Sequence, residues 1–379
     1  MPHIGYSEPM LEKVAFKNFL ALRDVEVDLE PFTVIVGPNA CGKSTLLEGI
    51  HRICKVKTHG VVVLIRGPDS MFREVATDQI KSANARSEIL FSAKLDILAD
   101  AYTQFGYFED ISAWMIKNTP DQHEFMNLEQ TNGTFLSKCP NSTFLKPNSS
   151  RMSKASYSPA PKPYLEPDGS GLATFCENLQ EEKPEVFAKI QESLKKVIPS
   201  IQRFRLTRQN IDWTGWVNTP EASKPQQPSV VGKKLVFDFE NASDVSAEFV
   251  SEGTLISLAL LATTAGATDN HIVLLDDIER GLHPRAIKDL IAQLRALQQL
   301  NPGLQIVATT HSPYLLDYLE PQEIRVATMG DDGGMRIAPL TSHPEYERWK
   351  DAMAPGEFWS HVGESWVKNL EPEVQATHD

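Results

Sequence analysis

The stretch Gly37-Pro38-Asn39-Ala40-Cys41-Gly42-Lys43-Ser44-Thr45 restricts this chain more than any other. An apolar run, Phe32-Thr33-Val34-Ile35-Val36, precedes it, and Leu46, Leu47, Ile50 and Ile53 follow at helical spacing. Strand, glycine-rich turn and helix in that order are the setting of a phosphate-binding loop. The glycines let the backbone curl so that successive N–H groups, with the positive end of the new helix, face phosphate oxygens. Gly37, Asn39, Ala40, Cys41, Gly42 and Thr45 are therefore expected to surround the phosphates. Lys43 is expected to neutralise the β- and γ-phosphates of ATP, and the Ser44 hydroxyl to hold Mg²⁺.

The rest of the chain divides by texture. Residues 11–20 and 25–29 alternate apolar with polar and predict two half-buried strands, antiparallel neighbours that lead into the loop. Further strands are expected at 61–65 and 88–95, so that residues 10–98 make a mixed first lobe. Residues 99–230 read as an insertion. Its stretch 118–170 is rich in Pro, Ser, Asn and Lys and lacks periodicity, and 171–198 turns amphipathic and predicts helices. Order returns over 231–345, with a strand at 234–239 and an apolar helix running on from Phe249. Two apolar strands follow, Ile272 to Leu275 and Gln305 to Thr310, with an amphipathic helix opened by Pro284 between them. Strand–helix alternation of this kind implies a parallel sheet that binds ligands at the carboxyl ends of its strands. Residues 346–379 form an aromatic-rich tail.

Composition narrows the partners. The formal charge of −13 over 379 residues excludes a surface that coats nucleic acid throughout, though it leaves room for a local basic strip. Cys41, Cys54, Cys139 and Cys176 show neither a CxxC pair nor metal-ligand spacing, which predicts free thiols in a reducing compartment. The sequence contains neither an apolar run long enough to span a bilayer nor a charged-then-apolar leader, so a cytoplasmic protein is expected, with no membrane partner.

Carboxylates and a histidine stand where the strands end. Asp276 closes an apolar strand, from which it can reach Mg²⁺ beside Ser44. Asp277 is placed to polarise the water that attacks a γ-phosphate, and Glu279 competes for that base role. His311 ends the next strand, where it either donates a hydrogen bond to the γ-phosphate or serves the fold. Ser251-Glu252-Gly253 opens a helix, either as an ordinary cap or as an anion site.

In sequence order the phosphate loop, Ser-Glu-Gly-Thr-Leu at 251–255, Leu-Leu-Asp-Asp-Ile-Glu-Arg-Gly-Leu-His-Pro at 274–284 and Thr-Thr-His-Ser-Pro at 309–313 resemble the motifs of an ABC-type ATPase. The chain is most similar to the soluble RecF, SMC and OLD-like members usually labelled AAA-family, including AbiEii-like proteins and the ATPase subunits of anti-phage systems. The resemblance covers residues 10–65 and 231–315. It implies an α/β P-loop NTPase fold in which a mixed-sheet lobe and a parallel core sheet carry a helical and irregular insertion. It also implies a head-to-head homodimer, or a higher oligomer. There Ser251 and Gly253 of one copy would close over ATP held by Gly42, Lys43 and Ser44 of the other. By the same resemblance Asp276 takes the metal position, Asp277 the catalytic carboxylate and His311 the switch histidine, and Gly281 to Pro284 cross the interface.

Two departures follow. Glu252 stands where transporters have glycine, which disfavours a transporter subunit. Asp277 stands where most relatives have glutamate, one methylene longer, which predicts slow ATP hydrolysis and a dimer clamp or switch. The expected role is the sensor, regulatory or motor subunit of a bacterial defence or toxin–antitoxin-like complex with a separate nuclease or toxin effector. The alternative is a DNA-maintenance clamp of the RecF or SMC kind. Arg203, Arg205 and Arg208 alternate along one strand and read either as a contact to DNA or RNA phosphates or as a solvated face. Trp349, Phe358, Trp359 and Trp366 in the tail read as packing on the core or as an effector-docking surface. Trp359 and Trp366 would share a helix face.

Overall fold

A computed structural model of the chain describes residues 10–59, 88–95, 102–108, 113–118, 140–212 and 229–370. The strand expected at 61–65 lies outside them. In chain order the strands are β1 (Leu11–Phe19), β2 (Leu22–Asp28), β3 (Phe32–Val36), β4 (Glu88–Leu95), β5 (Tyr102–Phe108), β6 (Ala113–Asn118) and β7 (Asn141–Leu145). They continue with β8 (Ile201–Asp212), β9 (Ser229–Phe239), β10 (Ala242–Ser246), β11 (His271–Leu275), β12 (Leu304–Thr310), β13 (Ile324–Met329) and β14 (Met335–Pro339). The longer helices are α1 (Lys43–His59), α2 (Leu172–Glu182), α3 (Pro184–Val197), α4 (Glu252–Gly266), α5 (Pro284–Leu300) and α6 (Pro355–Val362). Among the described residues, no helix is long and apolar enough to cross a membrane.

Two compact units interleave along the chain. Of the described residues, one holds those through Phe144, Thr268–Ile278 and those from Asn301 on; the other holds those within Leu145–Ala267 and Glu279–Leu300.

In the first unit, β1 and β2 form the expected antiparallel pair, with Val14 opposite Val27 and Phe16 opposite Val25. Val25 and Val27 point into the core while Asp24, Glu26 and Asp28 face out, the period-2 pattern of a sheet with one wet face. These strands belong to a five-stranded sheet in the order β2-β1-β4-β5-β6. That sheet reaches Asn118, past residue 98, where texture alone separates the first lobe from the insertion.

The second sheet of this unit has the order β14-β13-β3-β12-β11-β7. Pairs β11–β12, β12–β3 and β3–β13 are parallel, as strand–helix alternation predicts, and β14 adds an antiparallel edge. β3 and β12 are buried along their whole length. Helix α1 buries Leu46, Leu47 and Ile50 in a core shared with Phe16 of β1 and Val307 of β12.

A buried amide joins the two sheets. The Gln305 side chain donates to the carbonyls of Leu11 at 2.9 Å and Glu30 at 3.1 Å, and accepts from the Leu11 N–H at 3.2 Å. Only 2% of it is exposed, so these bonds have no competition from water.

The tail also belongs to this unit. Phe358 is buried and meets the His343 ring in a T-shaped contact at 5.2 Å, and Trp366 makes another with the same imidazole at 5.0 Å. Trp359 and Trp366 do not share a helix face, contrary to the seven-residue spacing. Gly363 adopts φ +64° and ends α6 between them, and Trp366 lies in a 3₁₀ segment packed on β13 and β14.

In the second unit, β8, β9 and β10 make an antiparallel sheet in the order β10-β9-β8, so the β8–β9 hairpin spans residue 230. The amphipathic stretch 171–198 forms α2 and α3 as expected. Gln191 of α3 brackets Phe204 of β8, donating to its carbonyl at 2.8 Å and accepting from its N–H at 3.1 Å. Helix α4 is apolar all round and accordingly buried from Gly253 to Thr264.

The basic strip is tied to carboxylates of the same sheet. Arg203 Nε lies 2.7 Å from Asp238 Oδ2, and Arg205 grips the same carboxylate through two nitrogens at 2.9 and 3.0 Å, adding Asp244 at 2.6 Å. These charge-assisted bonds hold Asp238 well below the usual carboxylate range. Two of the three arginines are thus engaged with carboxylates of their own sheet.

Candidate functional site

The loop expected to bind phosphate leaves β3 at Val36 and enters α1 at Lys43. Gly37 is required by close approach, because a Cβ there would stand 2.1 Å from the carbonyl oxygen of Ala327 on β13. Ala40 and Gly42 take φ of +62° and +103°, which curls the chain into the first turn of α1. Lys43 is 6% exposed, and its ammonium donates to the carbonyls of Gly37 and Pro38, each at 2.8 Å. The loop is therefore closed around its own cation. Cys41 beside it is buried, and burial pushes its thiol up, against the opposing pull of Lys43.

Parallel pairing of β11, β12 and β3 brings three strand ends to this loop. Asp276, just past β11, is 2% exposed. The Ser44 hydroxyl sits 2.9 and 2.7 Å from its two oxygens, and the Thr309 hydroxyl donates to Oδ1 at 2.7 Å. Thr309 Oγ1 also accepts from the Asp277 N–H at 2.9 Å, while the Thr309 carbonyl accepts from Ile278 at 3.1 Å. One threonine at the end of β12 thus sets both acids.

Asp277 adopts φ +54°, a left-handed conformation that aspartate tolerates better than most residues. The turn lifts its side chain out, 40% exposed, with Oδ1 3.6 Å from Nε2 of His311. The Ser44 hydroxyl, the buried Asp276 carboxylate, the exposed Asp277 carboxylate and His311 therefore stand together at these strand ends. Thr309 escapes sequence reasoning because it reads as one more β-branched strand residue; its position at the end of an apolar strand, two residues before His311, is the only signal.

The remaining candidates lie in the second unit. Ser251 caps α4, its hydroxyl accepting from Thr254 N–H at 3.3 Å, and it stays exposed. Gly253 is buried in the first turn of α4. Glu279 heads the turn before α5, where its carbonyl accepts from Leu282 at 3.0 Å.

Against known families, residues 10–158 match the model of an AAA ATPase domain, and residues 178–317 match an AAA domain described under the AbiEii toxin of type IV TA systems. Over those two stretches the chain is similar to AAA-type ATPase domains. Among solved structures it resembles an SMC head bound to the C-terminal winged-helix domain of ScpA, with 16% identity over 86% of this chain and 96% of that one and a TM-score of 0.57. The SMC head of Pyrococcus furiosus is similar at 14% identity, over 87% and 96% of the two chains, with a TM-score of 0.56. At such identities the likeness concerns the fold alone: an α/β P-loop fold of the ABC-ATPase type, with a mixed sheet and helices.

Two curated relatives are similar over shorter stretches. The Retron Vc95 probable ATPase of Vibrio cholerae is 25% identical over 167 residues, 44% of this chain and 29% of that protein. The OLD nuclease of Thermus scotoductus is 49% identical over 41 residues, 11% of this chain and 8% of the nuclease. The matched segments thus cover less than a third of either relative.

Proposed function

We propose that the chain binds ATP and Mg²⁺ at residues 37–45, hydrolyses it slowly, and pairs head to head with a second copy when ATP is bound. The observation that carries this is the hydrogen-bonded set Ser44–Asp276–Thr309–Asp277, with His311 at 3.6 Å, assembled from three separate motifs at one sheet edge. Lys43 would exchange the Gly37 and Pro38 carbonyls for phosphate oxygens. Ser44 and Asp276 would hold Mg²⁺, which neutralises charge on the phosphates. Asp277 polarises the attacking water, with Glu279 as the competing base, and His311 is set to sense the γ-phosphate through the same carboxylate. Ser251 and Gly253, at an exposed helix N-terminus, serve the site of the second copy.

The biological role we favour is the sensor, regulatory or motor subunit of a cytoplasmic bacterial defence complex with a separate effector. The similarity to the retron ATPase and the OLD nuclease supports it. A second reading, a DNA clamp, draws support from the fold likeness to SMC heads; the engagement of Arg203 and Arg205 with Asp238 weighs against that strip as its nucleic-acid contact.

Light scattering of the full chain with and without ATP and Mg²⁺ tests the gating. ATP should double the mass, Asp277→Asn should prolong the paired state, and Ser251→Arg should abolish it. Steady-state turnover should stay below about one ATP per second, under the usual enzyme range. An unchanged mass in saturating ATP, or rapid turnover, defeats the reading. Pull-down from the native host with and without ATP then identifies the effector.

A further inference from the structure

The Ser251-Glu252-Gly253 turn places a carboxylate at a helix N-terminus, the end that otherwise attracts phosphate. Within the second unit this carboxylate is engaged. Glu252 Oε1 lies 3.1 Å from Arg280 Nε, and the Ser149 hydroxyl reaches the same oxygen at 3.5 Å. The backbones meet at the same place: a Cβ on Gly253 would stand 2.2 Å from the Gly281 carbonyl oxygen, and Gly281 sits at φ +71°. Ion pair and backbone contact together make the α4 cap and the loop of residues 279–283 one piece.

We propose that Arg280 is a positioning residue for the ATP site of the second copy. It cancels the Glu252 charge, and it holds Ser251 in register with the loop that follows Asp277. This rests on the gated-pair reading above. An uncancelled carboxylate between Ser251 and Gly253 would repel the triphosphate those residues are meant to cover. With Arg280 in place, the N–H groups and the serine hydroxyl of the cap face the anion without opposition.

The pair is a poor candidate for a purely structural role. Arg280 is 50% exposed and Glu252 36%, and ion pairs in that setting add little to folding. Arg280→Ala should therefore leave the urea unfolding curve unchanged while it alters ATP-driven pairing.

A double-mutant cycle on the full chain, read by light scattering across an ATP titration with Mg²⁺, tests this. Arg280→Ala should raise the ATP concentration for half-maximal pairing about tenfold, the scale of one charge-assisted contact in a desolvated interface. Glu252→Ala with Arg280→Ala should return it to within about twofold of the native chain, because no uncancelled charge remains. Arg280→Lys should recover part of the loss, by restoring charge without the planar fork. If the double variant is as impaired as Arg280→Ala, or if Arg280→Ala pairs normally, the assignment of Arg280 falls while the gating reading stands. If the native chain does not pair in saturating ATP, both fall together.

Discussion

Replacing Thr309 with valine changes one hydroxyl for one methyl at a fully buried position with almost no change in volume. The hydroxyl makes two bonds. Its donation to Asp276 at 2.7 Å is charge-assisted and worth about 1.5–3 kcal/mol, and its acceptance from the Asp277 N–H at 2.9 Å adds about 1 kcal/mol. Losing both costs roughly 3 kcal/mol, a factor of about 100 in the equilibrium that holds the turn. The left-handed Asp277 has no other side-chain bond to its amide among those seen, so the turn itself should loosen. Peptide-level hydrogen exchange over residues 275–282, without nucleotide, reads this directly. The Asp277 amide should exchange at least about tenfold faster in Thr309→Val. Thr309→Ser, which keeps the hydroxyl and loses one buried methyl at about 1 kcal/mol, should stay near the native rate. Single-turnover ATP hydrolysis should follow the same order: native, then serine, then valine. If exchange and hydrolysis in Thr309→Val match the native chain, Thr309 does not organise the two acids.

Three further outcomes are expected. Asp277→Glu should raise single-turnover hydrolysis several-fold by extending the carboxylate one methylene toward the water, whereas Asp277→Asn should lower it by about 100-fold or more; equal rates in both would remove Asp277 from the chemistry. Gln305→Leu should destabilise the first unit by roughly 2 kcal/mol in urea titration, since it removes the side-chain partner of the Leu11 N–H and carbonyl in a buried site, while the Glu30 carbonyl keeps the Thr33 hydroxyl. His51 and His271 are kept neutral, chiefly by burial and then by Lys55, with Arg52 adding to His51, and their pKa values fall from 6.5 to about 3 and about 4. The unfolded chain therefore takes up their protons first. Their contribution is complete above pH 6.5 and is lost as pH falls, by up to about 1.4 kcal/mol per pH unit for each, ending near 4 for His271 and 3 for His51. His51→Gln with His271→Gln should flatten that slope in urea titrations between pH 6.5 and 4.

What the sequence disclosed was whatever a short periodic window carries. The apolar run Phe32–Val36, the turn and the α1 face declare the strand–turn–helix of the proposed phosphate loop because every local preference there agrees with the fold. The same holds for β11 and β12, whose apolar runs end in Asp276 and His311. β7 was hidden for the opposite reason: Asn141, Ser142 and Thr143 fill an edge strand that owes its place to partners, with Ser142 bonded to His51 at 2.9 Å and Thr143 to His271 at 2.9 Å. Gln305 and Arg325 were equally silent, since nothing local marks a polar side chain in an apolar strand as buried; Arg325 is 3% exposed and donates to the Asp28 carbonyl at 2.8 Å, nearly three hundred positions away in sequence. The tail failed through one residue, Gly363, whose positive φ turns a helical spacing into two unrelated positions.

Those cases share a cause that bears on the site. Residues proposed to perform chemistry at a strand end are legible because the strand announces the end. Residues that connect one motif to another, such as Thr309 between the two acids and Arg280 beside Glu252, are set by contacts between segments far apart in sequence. A chain of this kind can therefore keep its motifs intact and still change its coupling through such connectors. It follows that substitutions at Thr309 and Arg280 should alter hydrolysis and pairing separately, Thr309 the first and Arg280 the second, although neither lies within a phosphate loop or an acidic strand end.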